Sequence, residues 1–84
     1  MRGTIVCSRA GRDKGDFMVV VGYRDDAALV CDGKHRPLER PKAKNPKHLA
    51  FTCSSLSEDS LLTNRSLRKA LAAYRSRTEF KEEI

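Results

Sequence analysis

The segment Gly3–Val21 constrains the fold of this 84-residue chain more than any other part of it. It begins with a short apolar run, Thr4–Ser8, and ends with a valine-rich run that starts at Phe17; both compositions are typical of β-strands. Between the runs lie Gly11 and Gly15, and glycine readily adopts the positive φ angles that tight loops need. The sequence therefore predicts two neighbouring strands that hold a short loop between them.

The same patterns predict three further strands in the first part of the chain. Gly22 favours a bulge or sharp bend near the end of the second strand, and the pair Asp32–Gly33 is typical of a tight turn. We expect the basic segment Pro41–Lys47 to be a loop, because its two prolines interrupt strand pairing. Five short strands at this spacing favour one small, strongly bent barrel over residues 1–54. The predicted strands are Thr4–Ser8, Phe17–Tyr23, Ala27–Cys31, Arg36–Glu39 and His48–Cys53.

Residues 55–84 change to a helical pattern. Apolar side chains at helical spacing (Leu67, Leu71 and Tyr74) predict a helix that begins at Thr63 or Asn64 and ends at about Arg77. We expect Tyr74 to pack this helix onto the barrel. The last residues, 79–84, have no stop signal and are expected to fray.

The aromatic and cysteine side chains within the predicted strands are expected to be buried. Phe17 and Phe51 are predicted to belong to the core, as are the three cysteines, which resemble small apolar side chains in a reducing compartment. Tyr23 lies at a strand end beside Arg24 and is better placed to contact a ligand. The cysteines are Cys7, Cys31 and Cys53.

Positive charge is concentrated in the first part of the chain. The whole chain has a net charge of +6, and residues 1–50 contain eleven Lys and Arg against six Asp and Glu. A cationic surface of this kind attracts phosphate chains or anionic lipid. No apolar run is long enough to span a membrane and no signal-peptide pattern is present, so the sequence predicts a cytoplasmic protein.

Metal binding and catalysis are not predicted. The three cysteines lie more than 20 residues apart, which is unlike the short ligand spacing of zinc sites. The chain also lacks the phosphate-cradling loop of nucleotide hydrolases and a nucleophile with an obvious base partner. We therefore expect a protein that is not an enzyme and that has no metal, cofactor or small-molecule substrate.

A family resemblance adds to these observations. The segment Ile5–Gly15, followed by Phe17–Val21, resembles the KOW motif, in which a glycine-bearing loop joins two β-strands in ribosomal proteins and transcription elongation factors. With Asp32–Lys42 and Lys44–Leu49, the chain is similar to small bacterial KOW-domain RNA-binding proteins, which are related to a large-subunit ribosomal protein of archaea and eukaryotes. Leu62–Leu71 resembles the C-terminal helix of that group.

The resemblance implies a mainly β fold, a small five-stranded SH3-like (KOW) barrel followed by a C-terminal α-helix. It also implies RNA binding, and for many members ribosome association. The expected partner is RNA, with ribosomal RNA or another translation-associated RNA as the leading expectation.

The candidate RNA-binding residues come from two basic segments, the loop that contains Arg9, Arg12 and Lys14 and the region Gly33–His48, which we expect to share one side of the scaffold. We expect the arginines to fix the register of the RNA and the lysines to add affinity, because guanidinium groups bind phosphate in a two-pronged geometry. The predicted residues are Arg9, Gly11, Arg12, Lys14, Lys34, His35, Arg36, Arg40, Lys42, Lys44, Lys47 and His48.

Several alternatives stay open at this point. The basic residues could form a solvated surface, or the same loops could dock an acidic protein partner. The KOW resemblance also allows a transcription elongation accessory module. The predicted helix could cover one open side of the barrel, or its basic residues could form a second RNA-facing surface or a protein contact; these are Arg65, Arg68, Lys69, Arg75 and Arg77. We favour packing, with the outward arginines assisting RNA binding.

Overall fold

Five antiparallel strands and a C-terminal helix form most of residues 2–82, the part of the chain that this computed structural model describes. Two short 3₁₀ helices, at Pro46–His48 and Glu58–Leu61, connect the regular elements. None of the helices within these residues combines the length and the apolar character needed to cross a membrane. The elements are β1 (Thr4–Ser8), β2 (Phe17–Arg24), β3 (Ala27–Cys31), β4 (Lys42–Lys44), β5 (Leu49–Ser55) and α1 (Asn64–Glu82).

The strands form one open sheet with the order β4-β3-β2-β1-β5. In a flat sheet with strands about 4.8 Å apart, the edge strands β4 and β5 would lie roughly 19 Å from each other. Residues 45–48 alone connect them, and they include a 3₁₀ turn that rises only about 2 Å per residue. So short a connection requires a strongly curved sheet whose two edges approach each other.

Two irregularities in the strand pairing contribute to this curvature. The β2–β3 register shifts between Val20 and Gly22, which confirms the bulge predicted at Gly22. The β1–β5 register shifts between Thr4 and Val6. Bulges bend a strand and increase its local twist, so both shifts help the sheet to curl.

Alternating side chains bury both faces of the sheet. On one face Ile5, Val19 and Cys31 pack against Leu67 and Leu71 of α1. The other face carries a second buried apolar cluster. That second cluster consists of Val6, Met18, Val20, Ala28, Val30 and Leu49. Each of the buried valine, leucine and methionine side chains contributes about 1.5–3 kcal/mol.

Helix α1 is attached to the sheet at two points. The ring of Tyr74 contacts that of Phe17 edge-on, with centroids 5.2 Å apart, which confirms that Tyr74 packs the helix onto the strands. At the other end, Asn64 Oδ1 accepts a hydrogen bond from the Leu38 backbone N–H at 2.7 Å. Gly33 has a φ of +82°, and a Cβ there would lie 2.5 Å from the Asn64 carbonyl oxygen. The helix start therefore lies directly on the backbone of the β3–β4 loop.

The strand predicted at Arg36–Glu39 is wrong. Asp32 Oδ1 accepts hydrogen bonds from the backbone N–H groups of Lys34 and Arg36, each at 2.8 Å, and folds this segment into a loop. Because these backbone N–H groups donate to a side chain, they are not available for hydrogen bonds to a neighbouring strand. The fourth strand is instead Lys42–Lys44, inside the segment predicted to be the basic loop Pro41–Lys47.

Three further expectations need correction. Phe51 is 47% exposed and Cys53 is exposed, because both lie on the edge strand β5, which pairs only with β1 among the described strands. Cys7 is half-buried, whereas Cys31 is buried as predicted. Helix α1 continues to Glu82, beyond the predicted end at about Arg77, and residues 83 and 84 of the segment expected to fray lie outside the described residues.

Candidate nucleic-acid interface

The β1–β2 loop, residues 9–16, is held in shape by its own backbone. Gly11 and Gly15 have φ angles of +86° and +92°, as their positions in the predicted loop require. The Lys14 N–H donates to the Gly11 carbonyl at 3.3 Å, and the Gly15 N–H donates to the Ser8 carbonyl at 2.8 Å. This fold of the loop leaves the basic side chains exposed to solvent; they are Arg9, Arg12 and Lys14.

The β3–β4 loop, residues 32–41, presents a second group of basic side chains. Its first half is folded around the Asp32 carboxylate, and the Gly33 N–H donates to the Arg36 carbonyl at 3.1 Å. Lys34 and His35 are exposed at its outer turn, while Arg36 is half-buried. The loop thus has a fixed backbone from which its cations project.

These two loops lie side by side and enclose a cleft of about 360 Å³. Cations of both predicted segments meet here, since the cleft contains Arg12 of the first loop and Arg36 of the second. The cleft is lined by Arg12, Asp13, Asp16, Met18, Asp32, His35 and Arg36.

A second cleft of about 450 Å³ lies between the β3–β4 loop and helix α1. Both clefts are bordered by Asp16, Asp32 and His35, so together they form one groove, which we call the basic groove. Its second part is lined by Lys34 and by the helix residues Arg68 and Arg75. The basic groove therefore combines cations from three elements of the fold.

The basic groove has an excess of positive over negative side chains. Its cations are Arg12, Lys34, Arg36, Arg68 and Arg75, and its acidic side chains are Asp13, Asp16 and Asp32. Asp13 is neutralised by Lys44, and one oxygen of Asp32 accepts two backbone hydrogen bonds. Among the described residues, the charged groups of Arg12, Lys34 and Arg36 form no ion pair, so they can bind an external anion.

Lys44 does not present its charge to solvent, although it belongs to the predicted RNA-binding residues. Its side chain is 8% exposed and its ammonium lies 2.5 Å from Asp13 Oδ1. Burial by itself raises the pKa of Asp13, but hydrogen bonds from Lys44 and Ser8 and the nearby lysine charges outweigh it, so the pKa lies below its usual value. Lys44 is a structural side chain here, because its ammonium is already surrounded by protein oxygens.

The other predicted residues do not line the basic groove. The Arg9 backbone N–H donates to the His48 carbonyl at 2.8 Å, which groups Arg9, Lys47 and His48 near the start of β5. Arg40 lies farther along the β3–β4 loop. Gly11 and Lys14 lie on the β1–β2 loop, and Lys42 is near enough to Asp13 to help lower its pKa.

Helix α1 contributes two groove residues that are absent from the predicted set. Arg68 and Arg75 are seven positions apart and therefore share one face of the helix. Their spacing relative to Leu67 and Leu71 was visible in the sequence. What the sequence did not show is that the β3–β4 loop lies along this face.

No model of a known protein family matches this chain, and no curated protein sequence matches it significantly. The KOW resemblance therefore stays an expectation from the residues that carry it.

Proposed function

We propose that this protein binds RNA without catalysing a reaction and that the basic groove is the binding surface. The observation that carries the proposal is the meeting of the two basic loops at one cleft, where Arg12 and Arg36 have no ion pair with a described residue. Guanidinium groups bind phosphate oxygens in a two-pronged geometry, and phosphate contacts dominate the affinity of nucleic-acid-binding proteins. Lys34 and Arg68 extend the same surface along the groove.

The shape of the sheet supports an SH3-like barrel of the KOW type as the finer description of the fold. β1 pairs with both β2 and β5, and a short 3₁₀ connection joins β4 to β5 across the curved sheet. The KOW resemblance in turn favours ribosomal or another translation-associated RNA as the ligand.

Fluorescence anisotropy with labelled fragments of ribosomal RNA tests the proposal. The double variant Arg12→Ala/Arg36→Ala is expected to weaken binding about tenfold, because it removes two phosphate contacts. Arg24→Ala serves as a control for the loss of charge, since Arg24 lies at the far end of β2 and is exposed. Equal losses per charge at both places would contradict a localised groove.

The same groove cations would also attract an acidic protein. Treating a pull-down of the protein with RNase distinguishes the two ligands, because partners held through RNA are released and directly bound proteins stay. Retention of the partners, together with no binding of purified RNA, would favour a protein-interaction module instead.

A further inference from the structure

Lys44 and Asp13 form an ion pair that is largely shielded from water. Their side chains are 8% and 17% exposed, and the Lys44 ammonium lies 2.5 Å from Asp13 Oδ1. The ammonium also donates to the Ser8 hydroxyl at 2.7 Å and to the Ala10 carbonyl at 3.1 Å. The Ser8 hydroxyl lies 2.8 Å from the same carboxylate oxygen of Asp13. One lysine of β4 is therefore held by three groups at the end of β1 and in the β1–β2 loop.

This ion pair reaches the middle of the loop from a strand that does not flank it. The loop is closed at its base by the bond from the Ser8 N–H to the Asp16 carbonyl, at 2.9 Å. Nearer its tip, the backbone bonds between loop residues shape the turn without attaching it to the sheet. Side chains supply this attachment: the Ser8 hydroxyl at the end of β1, and Lys44 from β4, at the opposite edge of the sheet from β5.

Gly11 is the loop glycine that lies beside the ion pair. A Cβ on Gly11 would lie 3.6 Å from Asp13 Oδ1 and 3.8 Å from Lys44 Nζ. Gly15, at the other turn of the loop, has no neighbouring atom within 4 Å of its Cβ position. The loop is thus packed against the ion pair on its Gly11 side and open on its Gly15 side.

Stability alone is a poor explanation for this arrangement. Desolvating two charges costs about as much as their attraction returns, and apolar replacements of buried ion pairs are often neutral or stabilising. What an ion pair adds over an apolar contact is direction, because its hydrogen bonds fix where the partners lie. Here the fixed partner is Asp13, and its neighbour in the chain is Arg12, which lines the basic groove.

We propose that Lys44 and Asp13 are positioning residues for RNA binding: their ion pair fixes the β1–β2 loop so that Arg12 lies across the cleft from Arg36. This inference rests on the proposed RNA binding. It assigns Lys44 a role in affinity that does not involve contact with RNA.

The variant Asp13→Asn tests the inference, because the two explanations predict opposite changes in its RNA affinity. It retains the size of the side chain but raises the net charge by one, so general electrostatic attraction predicts tighter RNA binding. Loss of the positioning ion pair predicts weaker binding, by at least about fivefold under the same salt conditions. The matched control is Asp26→Asn, which changes the net charge equally at an exposed carboxylate of the β2–β3 turn, outside the basic groove and without a hydrogen bond or ion pair to a described residue. We expect Asp26→Asn to bind as the wild type does or up to about threefold more tightly.

A second variant keeps the test decisive if Asp13→Asn does not fold. The double variant Asp13→Asn/Lys44→Met leaves no unpaired charge in the interior and does not change the net charge. It is expected to fold, to bind RNA as weakly as Asp13→Asn, and to exchange the backbone amides of residues 11–16 faster than the wild type. If the folded variants that lack the ion pair bind RNA as tightly as Asp26→Asn, the inference is wrong. If the wild-type protein binds no RNA, the proposed function itself is wrong.

Discussion

At the scale of single residues, Lys44 shows how the fold gives two lysines on one short strand different environments. Lys42 and Lys44 occupy the same face of β4, opposite Val30 and Ala28 of β3. Lys42 remains half-exposed, whereas Lys44 extends under the β1–β2 loop and is buried against Asp13. A buried ammonium needs its partners, so each partner becomes important for stability.

Lys44→Ala is expected to lower the free energy of unfolding by about 3 kcal/mol, because it leaves the Asp13 carboxylate without its ion-pair partner in a mostly buried site. Urea denaturation at neutral pH measures this change. Lys47→Ala is the control, since Lys47 is exposed, and its effect should stay within about 0.5 kcal/mol. Equal effects of the two substitutions would mean that the ion pair contributes little.

Stability should also depend on pH through Asp13. In the folded protein the pKa of this carboxyl lies below its usual value of 3.8. The ionised carboxylate therefore stabilises the fold fully at pH values above 3.8, and this stabilisation is lost as the pH falls through the folded pKa. The difference in unfolding free energy between the wild type and Asp13→Asn is therefore largest near neutral pH and decreases in acid. Denaturation curves from neutral pH down to about pH 2.5 measure it. A difference that stays constant over this range would contradict the assignment.

At the scale of elements, the close approach of α1 to the β3–β4 loop determines the shape of the basic groove. The helix start lies against Gly33, whose φ of +82° no other residue adopts without strain. Leu38 and Glu39 of the same loop bind the side chain of Asn64, through hydrogen bonds of 2.7 and 2.9 Å. The loop and the helix thus form one support for the groove cations.

Gly33→Ala is expected to lower the free energy of unfolding by about 3 kcal/mol or more, since it combines a strained φ with a clash against the Asn64 carbonyl. Gly15→Ala separates these two causes. Gly15 has a similar φ of +92° but open space around its Cβ position, so about 1–2 kcal/mol of strain is expected there. Chemical denaturation of both variants gives the comparison, and a cost at Gly33 no larger than at Gly15 would argue against close packing.

The elements also show what local sequence patterns can and cannot predict. β1 and β3 have the predicted bounds, and the bulge at Gly22 was predicted as well. Both features depend on the sequence within a few residues, because an apolar run sets the extent of a strand and a glycine favours a local bend. β4 was missed because Asp32 and Asn64 take the backbone donors of the predicted strand, and Asn64 lies far away in the chain. The meeting of the two basic segments at Arg12 and Arg36 could be hypothesised from the sequence, because both segments are rich in cations. The burial of Lys44 could not, because its partner Asp13 lies 31 residues away in the chain.

At the scale of the whole molecule, the charge excess should appear as a salt-dependent affinity. If about five phosphates are bound, the logarithm of the association constant for ribosomal RNA falls with the logarithm of salt concentration at a slope of roughly −3 to −5. Anisotropy titrations at several salt concentrations measure the slope. The variant Arg12→Ala/Arg36→Ala should make it shallower by about 1.5. A slope near zero for the wild type would contradict phosphate binding.

The position of β1 inside the sheet has a consequence for biosynthesis. β1 pairs with β2 on one side and with β5 on the other, so its second edge is completed only by residues 49–55. A growing polypeptide makes the β1–β2 hairpin early and leaves that edge without hydrogen bonds until translation has passed β5. Slow decoding before Leu49 would prolong this exposed state, in which neighbouring nascent chains can pair with the open edge and misassemble.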